Sequence, residues 1–214
     1  YLSVDRITGY VKSAVGVARG LFDVFVAMVV SIYILAERNE IFKFFKKLFK
    51  AIFKPKTCNY IEKYFYSSNG VFFKFISSQL IDALVVGILA TVAMKILGIK
   101  YATLLGFTIG LFNMIPYFGA IIAISIAGII TLITGGVSKA IIMLIVVTIL
   151  QQVDANIINP KIIGDSLKIS PLLVILAVTI GGEYFGVIGM FLGVPVAAVL
   201  KILVNDYIDN KLEV

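Results

Sequence analysis

The runs LIDALVVGILATVAMKIL (80–97), GAIIAISIAGIITLIT (119–134) and AIIMLIVVTIL (140–150) are apolar all round a helix, with almost no polar face to turn toward water. A soluble core helix of this length alternates apolar and polar faces, whereas a helix that is hydrophobic on every side needs lipid or other helices around it. Unsatisfied backbone groups in hydrocarbon cost several kcal/mol each, so runs of this kind read as spanning helices. A β-barrel requires short alternating strands, which the pattern lacks. Composition agrees: 60% of the 214 residues are hydrophobic and 14% charged, and the mean hydropathy is +1.05. The fold class expected is all-α, a polytopic transmembrane helical bundle.

Reading along the chain, residues 1–19 form a helical lead-in to a first span at 20–36. A basic loop with an interfacial helix follows at 37–78. Within it, residues 38–63 carry eight Lys or Arg against two Glu, which places the loop in the cytoplasm by the positive-inside rule. Lys43, Lys46, Lys47, Lys50 and Lys54 fall on one line of a helix, and phenylalanines fill the other side. That is the pattern of a helix lying on anionic lipid. The net charge of +7 alone would also permit nucleic-acid binding. The phenylalanines form a greasy face instead of interleaving with the lysines, so the partner expected is the bilayer and not nucleic acid. Pro55 stops this helix.

A transmembrane core is expected over 79–204, with spans near 79–97, 101–115, 120–134 and 140–150, and a polar tail over 205–214. The block 171–203 is divided by Gly181, Gly182 and Glu183, and reads equally as a tight helical hairpin or a re-entrant segment. Ser170 and Pro171 read as the cap and first residue of its opening helix. The glycines at 181, 186, 189 and 193 suit close helix approach.

Ionisable groups inside spans are expensive and therefore functional candidates. Asp23 lies near a span end, Asp82 follows Ser77, Ser78 and Gln79, and Asp154 lies in QQVDANIINPK (151–161). Pro160 has no N–H, so a helix continuing through it frees the carbonyl of Asn156; the same holds for Phe112 if Pro116 is helical and for Phe191 before Pro195. Asp154, Asn156, Gln152, Asn159, Pro160, Asp82 and Pro116 are the transport-path candidates. Capping of a helix at the membrane surface is the competing account of the 151–161 amides. With no histidine and a single cysteine, Cys58, the chain offers no metal site, no disulfide and no nucleophile–histidine pair. No GxxxxGK[ST] loop occurs, so neither enzymatic hydrolysis nor ATP-driven pumping is expected, and no cofactor.

NMIPYFGAIIA followed by QQVDANIINPKIIGDSLKISPLLVILAVTIGGEYFGVIGMFLGVPVAAVLKIL resembles the AI-2E family of membrane transporters. The positions that match are Ile115, Pro116, Tyr117 and Gly119, then Asp154, Asn156 and Pro160, then Pro171, Leu172, Gly181, Gly182, Gly186, Gly189 and Pro195. Asp154 stands where the family has glutamate, and Ala155 where it has glycine. The resemblance implies the C-terminal portion of a longer bacterial or archaeal permease of the cell membrane. It implies export of small polar solutes such as autoinducer-2, with sodium or lithium exchange for protons as the alternative. A membrane scaffold or homo-oligomeric assembly subunit is the reading from another class.

Overall fold

The computed structural model describes residues 4–163 and 169–212. All its elements are helical, with no strand among the described residues, and four helices are long and apolar enough to cross a membrane. The chain divides into two compact units, 1–62 and 63–214.

In the first unit α1 (Val4–Ala36) bends at Glu37 into α2 (Arg38–Ile52). The apolar window 18–36 of α1 has no buried residue, and neither has α2. Both are therefore surfaces awaiting lipid or protein, as an apolar-all-round helix and an amphipathic one should be. Phe53 turns extended and ends α2, its N–H still donating to the Phe49 carbonyl. Pro55 then opens α3 (Pro55–Ile96). Lys46 of α2 pairs with Glu62 at 2.6 Å.

Residues 37–78 are thus not a loop. From Pro55 onward they belong to one 42-residue helix, and the span expected to begin at Gln79 begins far earlier. The C-terminal tail is likewise helical as far as Leu212.

The second unit is a set of antiparallel hairpins. The C-terminal part of α3 turns at Gly98 and Tyr101, both with positive φ, and returns as α4 (Ala102–Asn113). The two helices approach so closely that a Cβ on Gly106 would collide with Thr91, and one on Gly110 with the Ala83 carbonyl. A sharp turn follows at Tyr117 (φ 64, ψ −52), where the Phe118 N–H donates to the Pro116 carbonyl at 2.8 Å. This is a γ-turn, a strained form. Pro116 consequently lies in a turn, and the Phe112 carbonyl accepts the Ile115 N–H at 2.9 Å instead of being freed.

The helix α5 (Phe118–Val153) is broken at Gly136 (φ 80, ψ 175), and its two arms, the expected fourth and fifth spans, fold together around Gly128 and Leu144. Beyond it the helix does not simply continue to Pro160. It widens into a π turn, Asp154–Ile158, and then α6 (Asn159–Ile163) carries Pro160 in its first turn. Residues 164–168 lie outside the described part.

Finally α7 (Pro171–Leu212) is broken at Gly186 (φ 60, ψ −145). Ser170 caps it, its Oγ accepting the Leu173 N–H at 3.4 Å. The arms fold back so tightly that a Cβ on Gly189 would strike the Gly181 carbonyl, and one on Gly193 the Ala177 carbonyl. The first arm, 171–185, is about 22 Å long, short of the ~30 Å of a bilayer core. The second runs antiparallel to α3: Phe191 packs on Phe75 with ring centroids 5.5 Å apart, and Asp206 pairs with Lys63 at 2.7 Å. Counting back from Phe191, the tip at Gly186 reaches the level of about Gln79 to Asp82, about 26 Å short of the Gly98 turn. The block 171–203 is thus a tight helical hairpin, broken at Gly186. Pro195 is buried inside this arm, so the Phe191 carbonyl lacks its helical donor, as expected.

Candidate functional site

Three helices carry an inward stripe that passes from apolar to polar at one level. On α3 the buried positions Met94, Ala90 and Val86 lead to Asp82 and Gln79; on α4, Leu105 and Ile109 lead to Asn113; on α5, Met143 and Val147 lead to Asp154. The stripes step by three or four residues, and by seven from Val147 to Asp154, spacings that keep side chains on one helix face. The apolar parts form one fully buried cluster, and the polar ends form a layer beneath it.

At the centre of that layer the Asn113 amide donates to both acids. Its Nδ2 lies 2.8 Å from Asp82 Oδ2 and 3.1 Å from Asp154 Oδ2. Asp82 and Asp154 are 0% and 4% exposed, so neither charge is solvated by bulk water. The second oxygen of each, Oδ1, accepts no hydrogen bond among the described residues. Two carboxylates sharing one amide must lie within about 6 Å, the range in which like charges act on each other strongly. A proton on one, or a cation between them, removes that repulsion.

The site opens into a cavity of about 480 Å³. Its polar wall consists of Gln79, Asn113, Gln151, Gln152, Asp154 and Asn159; Pro116, Tyr117, Val174 and Val194 supply apolar wall, so the γ-turn and both arms of the α7 hairpin contribute. Asp154 faces inward because it stands two turns after Val147 on the same helix face, and the π turn begins with it. The extra residue per turn re-aims the chain where α5 would otherwise have continued in register, and such turns recur at functional sites.

The sequence candidates separate into two groups. Asp82 and Asp154 are brought together, and Gln152, Asn159 and Pro116 line the cavity. Asn156 and Pro160 are exposed and line nothing described; Asn156 turns back, its Nδ2 donating to the Gln152 carbonyl at 2.7 Å. Gln152 and Asn156 still meet, Asn156 Nδ2 lying 3.5 Å from Gln152 Oε1, while Asn159, beyond the π turn, lines the cavity. Asn113, Gln79 and Gln151 were not among the candidates. Asn113 could have been found from the 105, 109, 113 spacing on an otherwise apolar helix, and Gln79 from standing one turn before Asp82. Of the five lysines expected on one helix line, Lys43, Lys46, Lys47 and Lys50 lie on α2 and Lys54 falls beyond its end; all five are exposed. Among the described residues no group of three His, Cys, Asp or Glu could hold a metal ion.

Broken helices, a tight hairpin and a buried acid pair, among four helices long and apolar enough to cross a membrane, are features of a multi-pass membrane protein. The chain belongs to the AI-2E transporter family, whose family model, "AI-2E family transporter", matches residues 2–209. It is 36% identical to the Bacillus subtilis protein named "Putative transport protein YrrI" over 65% of this chain and 39% of that one. To the similarly named YueF of the same organism it is 37% identical over 59% of this chain and 34% of the relative. To a Borreliella burgdorferi protein named in the same way it is 26% identical over 78% of this chain and 47% of the other. The chain spans between a third and a half of the length of these relatives.

Proposed function

We propose that this chain is the ion-coupling core of a permease that exchanges a monovalent cation for protons, without ATP chemistry of its own. The single observation behind the reading is the acid pair: Asp82 and Asp154, both buried, joined by one Asn113 amide and each left with a free oxygen. Such a pair is stable in the protein interior when it holds a proton or a cation, and alternating between the two is exchange.

A second reading, export of a small polar solute of the autoinducer-2 kind, draws on the amides of Gln151, Gln152 and Asn159, which give the cavity both donors and acceptors. The two differ in what Asp154 must do. Antiport needs a carboxylate, so Asp154→Asn abolishes cation exchange in vesicles of the reconstituted full-length protein; a solute exporter tolerates the isosteric amide. Exchange that survives the substitution removes the antiport reading, and a saturable flux of any cargo removes the scaffold alternative.

The setting proposed is the cell membrane of a prokaryote, with the 38–63 segment at the cytoplasmic face. There the lysines of α2 meet anionic lipid, each adding about 1 kcal/mol near the surface. Vesicle binding by a 38–54 peptide that is indifferent to lipid charge would count against that contact.

A further inference from the structure

Resting on the exchange reading, the walls of the same cavity identify a third ligand group. Gln79 is 2% exposed, and its Nε2 donates to the Met114 carbonyl at 3.3 Å. A carbonyl only accepts, so this bond fixes which way the amide points: the nitrogen to Met114, the oxygen away from it. That oxygen, Oε1, has no partner within the protein, although Gln79 lines the cavity. A buried acceptor left unpaired costs about 1–3 kcal/mol, a cost retained in a folded chain where something else satisfies the group.

The free oxygens of Asp82 and Asp154 stand in the same condition. Gln79 and Asp82 are three residues apart on α3, neighbours on one helix face, and Asp154 is held against Asp82 through Asn113. The layer therefore offers three orphan acceptors, each more than nine-tenths buried, against one orphan donor, Nε2 of the half-buried Gln151. Acceptors in that excess suit a ligand that brings positive charge and no lone pairs. Three oxygens, one of them from a neutral amide, are few for a divalent ion, since calcium takes six to eight oxygen ligands.

We infer that Gln79 is a selectivity-determining ligand for a desolvated alkali cation, its side-chain oxygen completing an oxygen site with the free oxygens of Asp82 and Asp154. The Met114 carbonyl sets the position of that oxygen from the γ-turn side, so the site's size depends on the turn. Gln79 does not carry the exchange; it decides how tightly, and which, cation competes with the proton.

The test uses the full-length protein purified in detergent and reconstituted in vesicles, with sodium, lithium and potassium chloride as probes and choline chloride holding ionic strength. Sodium or lithium raises the Tm of the parent protein, and Gln79→Met, of matching length but without the oxygen, removes most of that rise. In vesicles the same variant raises the half-saturating cation concentration about tenfold, equivalent to about 1.4 kcal/mol, with little change in maximal rate, and narrows the preference among the three ions. Gln79→Glu, which restores an oxygen, recovers cation-dependent stabilisation, so a misfolded Gln79→Met still leaves a decisive measurement. Abolished exchange in Asp154→Asn with unchanged affinity and preference in Gln79→Met overturns the Gln79 assignment and leaves the acid pair standing. Unchanged exchange in Asp154→Asn, or no cation response in the parent protein, overturns both.

Discussion

Asn113 is the residue on which the buried layer depends. Its amide hydrogens are shared between two acids that would otherwise face each other without a donor. Replacing it leaves two more carboxylate oxygens unpaired in a low-dielectric interior, where each lost partner costs about 1–3 kcal/mol and more for a charged group. Asn113→Ala should therefore lower the Tm of the detergent-purified protein markedly. Adding Asp82→Asn, which removes one of the charges the amide was holding, should recover part of the loss. If the double variant is instead as unstable as the sum of the two single ones, the acids and the amide do not act as a unit. Much of this layer was legible at residue scale. Asp82 and Asp154 are carboxylates in apolar sequence, and the cost of placing charge there makes them conspicuous. Asn113 was not, because a neutral amide three residues before a proline also fits an ordinary turn, and nothing local says that two acids, 31 and 41 residues away, converge on it. Gln79 was passed over for a related reason: beside Ser77 and Ser78 it looked like one of several polar residues at a helix entrance.

Elements were legible where hydrophobic period and breakers agreed, and illegible where tertiary contact decided. Gly181, Gly182 and Glu183 announced a break in the last block, but the structure places it at Gly186, and only the packing shows the glycines' division of labour. Gly189 and Gly181 allow the arms to touch, since a Cβ on either strikes the other's carbonyl. Gly186 has open space around it and is required by its backbone, φ 60 and ψ −145, a region almost confined to glycine. Substitution by alanine should separate these roles. Gly189→Ala forces the arms apart, an overpacking cost of about 1–3 kcal/mol, and opens the cavity wall at Val174 and Val194. Gly186→Ala costs a similar amount through strain alone, about 1–3 kcal/mol. Gly70→Ala, in an open stretch of α3 with nothing near its would-be Cβ, should stabilise by about 0.5–1 kcal/mol. Thermal unfolding of the three variants checks the order, and a Gly189→Ala protein as stable as the parent would refute the close hairpin. The length of α3 was the element the sequence concealed. TCNYIEKYFYSSNG has a loop's composition, yet Lys63 and Tyr64 from within it both bond Asp206 of α7, at 2.7 and 3.2 Å. A partner 143 residues away cannot be seen in a local window. The π turn was hidden likewise: Pro160 signalled that the ladder must fail somewhere, without saying that the chain would widen from Asp154 onward.

For the second unit as a whole, the position of the polar layer decides from which side water reaches the acids. Toward the Gly98 and Gly136 turns the layer is backed by Val86, Ala90, Met94, Leu105, Ile109, Met143 and Val147, all 0% exposed. A charged group crossing such a plug meets a barrier of at least about 3 kcal/mol on insertion scales. Toward the end of the unit where Lys63 meets Asp206 the layer is backed by the amide-lined cavity instead, and Ser78 reaches the Ile162 carbonyl of α6 at 3.5 Å along that way. Among the described residues the layer thus has an apolar plug on one side and the cavity on the other, and on the exchange reading proposed above a complete cycle requires the plug or the site to move. Single cysteines in a cysteine-free background, with Cys58 replaced by serine, make this measurable. A charged, membrane-impermeant thiol reagent should label Gln152→Cys rapidly from the side of the α7 C-terminus and not from the other, whereas Ala90→Cys and Ile109→Cys should resist it from both. Saturating sodium should slow labelling at 152, because an ion held at the acid pair stands in front of that wall. Labelling of Ala90→Cys from the Gly98 side at a comparable rate would mean that the plug is wet, and that the acid pair lies in an open pore instead of a one-sided site.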